Sequence, residues 1–197
     1  MEPNDTRRGG APVVTERAAA DLPVCAEVLG AVHRKDGYPV NWPADPVGWL
    51  RVDGELGAWV ARLAGRPVGH VVLAGPGPGD VAPRLAPAGG PTAVVGRLFV
   101  DPAARGRRIG ALLLDRVAHE ARLRGARAVL DVVPSDVAAV ALYERAGWQF
   151  LGTGQQEWGP DELIDVRCYA APAPPARDTP GARDTAPWTG DDGEDHR

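Results

Sequence analysis

Apolar residues in this chain fall into two kinds of run. Leu22, Cys25, Val28, Leu29 and Val32 recur at three- and four-residue spacing, one buried face of a helix opened by Asp21-Leu22-Pro23. Ile109, Leu112, Leu113, Val117 and Ala121 repeat that spacing, with Arg116, Glu120, Arg122 and Arg124 on the wet side. Between these stripes lie short continuous runs, as expected for strands covered on both faces. Val13-Val14 reads as a first strand, and Ala58 to Leu63 with Val68 to Leu73 as a hairpin around Gly65-Arg66-Pro67. Ala93 to Val100 and Ala128 to Val133 are two further strands, separated from the hairpin by a Pro/Gly-rich loop, Gly75 to Pro91. After Pro134, Ser135 or Asp136 caps a helix of about ten residues, Val137 to Ala146, and Gly147 stands at its left-handed C′ position. Trp148 to Leu151 turns extended again, and Cys168 falls in a last strand.

The junction between the Ala93–Val100 strand and the second long helix carries most of the chemistry. Asp101 to Gly110 reads Asp-Pro-Ala-Ala-Arg-Gly-Arg-Arg-Ile-Gly. A helix start leaves several backbone N–H groups without intrahelical partners, and its dipole adds partial positive charge. Glycines let a ligand approach that backbone, and Arg105, Arg107 and Arg108 add full charges, so the loop suits a phosphate or pyrophosphate. A P-loop is excluded because the chain's single lysine is Lys35, and Gly106 and Gly110 lack the dinucleotide spacing. The competing reading is a solvated helix start with no ligand.

With the strand-x-V-x-P-x-x-R-G-x-x-I-G-helix order, and Asp136-x-Ala-Ala-x-Ala-Leu-Tyr-Glu-Arg-Ala-Gly-Trp148 after the next strand, the chain resembles the GNAT superfamily of acyl-CoA-dependent N-acyltransferases. The resemblance covers roughly residues 12 to 171. It implies a mixed α/β fold with a largely antiparallel central sheet flanked by helices and a cofactor cleft between the two central strands. It implies acetyl-CoA as acyl donor, with its pantetheine arm along Leu98, Phe99 and Val100. The pyrophosphate would rest on Arg105, Gly106, Arg107, Arg108, Ile109, Gly110 and Ala111. Arg108 departs from the family pattern, which has glycine there. Tyr143 matches the family's proton donor to the departing thiolate, a phenol whose ordinary pKa of about 10 keeps it protonated; read from local pattern alone, it is a buried aromatic of a short helix. Asp136 falls where relatives carry an asparagine against the cofactor arm, and it is equally a plain helix cap. For the general base, Asp131 stands where some relatives have glutamate; His70 and a water chain are the alternatives. The cofactor strand itself carries Gly96-Arg97 in place of a carboxylate, which keeps open a non-catalytic acyl-CoA-binding module.

The resemblance also points to Arg34–Leu56 as the acceptor wall, with Tyr38, Trp42 and Trp49 in it and Asp36, Asp45 and Asp53 nearby. These could receive an amine-bearing small molecule or peptide, or fill core and cap turns. A net charge of −4 and a pI near 5.6 argue against nucleic acid as partner. Cys25 and Cys168 suit buried thiols better than a disulfide, and the four histidines form no metal set. The 197 residues fit one domain, 12–171, between a flexible stretch 1–11 and a disordered tail 172–197. That tail is rich in Pro, Ala and Asp and has too few apolar residues to offset its ordering entropy. With no signal peptide or long apolar span, the expected setting is cytoplasmic, away from membranes, as a monomer or homodimer.

Overall fold

The computed structural model describes residues 10–87, 90–159 and 162–173. In chain order the elements are β1 (Val13–Glu16), α1 (Leu22–Asp36), α2 (Pro46–Trp49), β2 (Glu55–Leu63), β3 (Arg66–Ala74), α3 (Ala82–Leu85) and β4 (Thr92–Val100). They continue with α4 (Ile109–Leu123), β5 (Arg127–Val132), α5 (Val137–Arg145), β6 (Gln149–Gly159) and β7 (Glu162–Ala170). The strands form one seven-stranded sheet in the order β1-β2-β3-β4-β5-β7-β6. Every pairing is antiparallel except β4 with β5. This is the mixed, largely antiparallel sheet that the sequence leads one to expect. The 1–11 stretch is described only from Gly10, and residues 174–197 of the expected tail lie outside the described residues. Among the described residues no helix is long and apolar enough to cross a membrane.

The helices cover the two faces of the sheet. Helix α4 packs Ile109, Leu113, Leu114, Val117 and Ala121 against Trp59, Val71, Leu73, Val95 and Leu130. Leu112, expected on this face, is 37% exposed, and Leu114 takes the buried place. Helix α1 buries the five residues its spacing predicts, against Val60, Phe99 and Leu50 on the opposite face. Its entry is fixed by Asp21, whose carboxylate accepts from Ala18 N (2.8 Å) and from Arg62 Nη2 at both oxygens (2.8 Å each). The β2–β3 turn uses Ala64 and Gly65, both at positive φ, the two-residue geometry that matches strand twist. Cys25 and Cys168 are buried free thiols in separate cores.

Strand β4 departs from a regular ladder on both of its sides. Strands β4 and β5 pair only from Thr92–Val94 to Arg127–Val129, so β4 beyond Val94 leaves its parallel neighbour. Against β3, β4 then carries one extra residue: His70 and Val72 face Phe99 and Gly96, and Arg97 between them adopts φ +54°. That is a β-bulge. The carbonyl of Arg97 can only accept a hydrogen bond, so His70 Nδ1, 2.9 Å away, carries the proton. Nε2 then accepts from Arg17 Nη1 (3.0 Å). Arg17 is itself fixed by Leu50 O (2.7 Å) and both carboxylate oxygens of Glu55 (2.9 Å each). His70 therefore has one tautomer, and it is fully buried.

The Gly75–Pro91 segment, legible in sequence only as a loop, folds back onto the sheet through α3. Val81 and Ala82 are buried against Val129, Val166 and Cys168. Both carboxylate oxygens of Asp131 on β5 accept their backbone N–H groups, at 3.0 and 2.8 Å.

These contacts make stability depend on pH and on one carboxylate. Burial, followed by the nearby Arg17 and Arg97 cations, pushes His70 down to about 4, while its bond to the Arg97 carbonyl opposes the fall. The unfolded chain, with histidine near 6.5, binds the extra proton first, so stability is intact above that pH and drains away as pH falls toward 4. The expected loss is roughly 3 kcal/mol across that window; urea denaturation at stepped pH measures it, and a flat profile contradicts it. Asp131→Ala removes the acceptor of two helix-start amides and should cost about 1–2 kcal/mol. Amide exchange at Val81 and Ala82 should then accelerate selectively; unchanged exchange would mean the carboxylate does not anchor α3.

Candidate active site

A peptide group in the trans form points its C=O and N–H in opposite directions. Because Arg97 O is turned to His70, Leu98 N–H is turned away from β3. Asp101 N bonds Val68 O across the ladder (2.8 Å), and strand neighbours alternate, so Val100 N–H also faces away from β3. Both donors thus look into the gap from which β5 has withdrawn. Leu98, Phe99 and Val100 line a cavity of about 950 Å³ there. Its other walls come from α1 (Val32, Asp36), Tyr38, the start of α4 and α5.

The start of α4 is open. Gly106 (φ +80°) and Arg108 (φ +59°) bend the chain into it, and Arg108, the N-cap residue, makes no side-chain cap. Arg108 holds the left-handed conformation for which glycine is the cheapest residue, which accounts for its place in the pattern. The first intrahelical bond runs from Leu112 N to Arg108 O (3.1 Å), which leaves the N–H groups of Ile109, Gly110 and Ala111 at the cavity wall. Gly110 also admits α5: a Cβ there would lie 2.8 Å from Leu142 Cδ2. Arg105 lines the cavity but is engaged, its Nη1 donating to Asp36 Oδ1 (3.1 Å) and its Nη2 to Oδ2. That bond to Arg105 holds the Asp36 carboxyl below its usual range. Arg107, expected to take part, is not among the lining residues.

Asp136 caps α5 by accepting from Ala139 N (3.0 Å) and also lines the cavity, so both readings of it coexist. Tyr143 is buried (7% exposed), its ring held between Trp148 (6.2 Å) and Tyr169 (5.8 Å). Burial, followed by the neighbouring Tyr38 and Asp136, raises its pKa strongly. Tyr38 faces the same cavity and is pushed up to about 12, again by burial. Among the described residues neither hydroxyl has a hydrogen-bond partner.

Three expected residues sit elsewhere. Asp131 does not line the cavity, and its carboxylate is spent on α3, so its place corrects the reading of it as a base. Trp42 lies over Gly30 and His33 of α1, 43% exposed, away from the cavity. Trp49 stands behind Tyr38, edge-on at 6.0 Å, and beneath the guanidinium of Arg97. His70, the other base candidate, is enclosed by its two partners and works on the backbone. The Asp36–Arg105 pair is the contact that sequence spacing could not supply, because 69 positions separate the two.

Residues 27–148 match the model of the acetyltransferase (GNAT) family. The chain is 32% identical over 102 residues to an uncharacterized N-acetyltransferase of Methanocaldococcus jannaschii, covering 51% of this chain and 42% of that one. It is 40% identical over 70 residues to an IAA acetyltransferase of Azospirillum brasilense, covering 35% of this chain and 45% of that one. The matched stretch thus spans less than half the length of these curated relatives. Among solved structures, Arabidopsis thaliana NAA60 in complex with acetyl-CoA superposes with a TM-score of 0.60 at 16% identity, over 81% of this chain and 98% of that one. A ribosomal-protein-alanine N-acetyltransferase from Brucella melitensis gives 0.59 at 23%, over 80% and 98%. Family model and fold agree: this chain belongs to the acetyltransferase (GNAT) family.

Proposed function

We propose that this protein is an N-acetyltransferase that moves an acetyl group from acetyl-CoA to a primary amine of a small molecule or peptide, by direct attack within a ternary complex. The observation that carries the reading is the gap between β4 and β5, with two strand N–H groups facing it and an uncapped helix start at its mouth. An amide-bearing arm fits a strand edge that offers donors, and a pyrophosphate fits three free N–H groups beside Arg105, Arg108 and Gly106. Acetyl-CoA, when bound, supplies an activated acyl group and a thiolate leaving group.

The chain's own residues account for the rest. Leu98 N–H and Val100 N–H donate along the cleft, the latter toward charge that develops on an acyl oxygen. Tyr143 keeps its phenolic proton at neutral pH and holds it in the cavity for the leaving thiolate. Desolvation raises a thiolate's proton affinity as it raises the phenol's, so both groups shift together. Tyr38, which lines the cavity, borders the approach of the acceptor, with Trp49 packed behind it. A binding-only module is the second reading; it is favoured by the engagement of Asp131 with α3, which leaves β5 without an available base.

Calorimetric titration with acetyl-CoA, beside free CoA, tests the cleft: saturable one-site binding is expected, and its absence in folded protein sinks the assignment. Tyr143→Phe keeps the packed ring and should lower kcat about 100-fold with acetyl-CoA affinity within about twofold; an unchanged rate of CoA release rules out the acid role. Asp36→Asn frees Arg105 and removes a negative charge beside the cleft. Its Kd for CoA should fall by about two- to fivefold at low salt; weaker binding would mean that Asp36 supports the anion loop.

A further inference from the structure

Among the described residues, four partly buried arginines have a carboxylate beside them: Arg17 pairs with Glu55, Arg62 with Asp21, Arg116 with Glu120 and Arg167 with Glu144. Arg127 instead donates to Ala171 O and Gln149 Oε1. Arg97 has no carboxylate partner. It is half-buried, and burial pushes its pKa down because the cation has lost water, while Tyr38 is the neighbour that opposes this. Its Nε–H donates to Trp49 O (3.1 Å), and its guanidinium carbon lies 3.6 Å from the centroid of the Trp49 ring. The stack satisfies the guanidinium face and fixes its plane. It leaves the four in-plane N–H groups of Nη1 and Nη2 with no partner among the described residues, and neither nitrogen is sealed from solvent.

The position is also strained and reinforced. Arg97 takes φ +54°, a conformation that costs a residue with a side chain and persists where surroundings impose it. The surroundings are the Arg17–His70 chain on its carbonyl and the Trp49 stack on its side chain. Trp49 is held in turn by α2, whose N-cap Asp45 accepts from Gly48 N (2.9 Å). The backbone that turns Leu98 N–H into the cleft thus also sets a preset fork over Trp49; Arg97 and Trp49 are not themselves among the lining residues, and Tyr38, against which Trp49 packs, is their link to the cleft. A carboxylate meets such a fork with two parallel hydrogen bonds.

We propose that the acceptor of this enzyme is an amino-carboxylate, a small molecule bearing a carboxylate as well as the reacting amine, and that Arg97 holds that carboxylate. This rests on the transferase reading and narrows its substrate to one class. Arg97 acts on the acceptor's binding and orientation, with no proton transfer of its own.

The test compares each common amino acid, as acceptor for acetyl-CoA-dependent CoA release, with two partners: its methyl ester and the amine left when its α-carboxylate is removed. At least one amino acid should exceed both partners tenfold or more in kcat/KM, chiefly through KM. In Arg97→Gln that ratio should fall to near one, and Arg97→Lys, a cation without the fork, should fall between. The thermal midpoint and acetyl-CoA affinity of each variant establish that it is folded; should Arg97→Gln fail there, the ester comparison on the wild-type protein decides. Esters or amines that match the acids, or a ratio that survives Arg97→Gln, overturn the proposal while leaving the transferase intact. Acetyl-CoA binding with no turnover of any acid overturns it as well. Failure to bind acetyl-CoA strikes the underlying reading instead.

Discussion

One hydrogen bond, from His70 Nδ1 to the carbonyl of Arg97, decides which way a peptide group faces, and the site is arranged around that choice. Turned this way, the Arg97–Leu98 peptide gives its oxygen to the core and its N–H to the cleft. Turned the other way, the cleft would present an acceptor where a donor is needed. The bond is insulated from water and backed by Arg17, which is locked to Glu55. A buried polar chain of this kind is costly to leave half-satisfied, so it specifies one arrangement rather than adding much to stability. The bulge is the geometric expression of that arrangement: one extra residue lets β4 keep its ladder with β3 while reversing what it shows to β5.

Electrostatics divide the site into two regions. At the mouth, positive charge is abundant but partly neutralised, because Asp36 at the end of α1 engages Arg105. Deeper in, the two phenols stay neutral, since burial raises both. An anion arriving at the mouth competes with a carboxylate for a guanidinium. The competition ties the end of α1, and Tyr38 just beyond it, to the state of the anion loop.

Much of this architecture is legible in the chain itself. The α1 stripe, the β2–β3 hairpin, the Gly/Arg loop opening α4 and the Asp136 cap arise from local periodicity and local hydrogen bonding, which depend on near neighbours in sequence. What escapes such a reading depends on contacts between distant positions. Asp131 looks like any carboxylate on an apolar strand until α3 arrives from 49 positions away to use both its oxygens. Trp42 and Trp49 are equivalent in composition, yet one covers Gly30 and the other supports Arg97, a difference set by the path of the loop. The bulge has no sequence marker either, since its residue at positive φ is an arginine and not a glycine.

The three-residue contact between β4 and β5 makes the sheet two leaves joined along a short seam. Backbone hydrogen bonds cannot set the angle between the leaves beyond that seam. Helix α4 can, because it lies across both, with Leu113 and Leu114 wedged into the core that spans them. The opening is therefore gauged by the volume of those two side chains, and the width available to a ligand is set by residues that do not line the cavity.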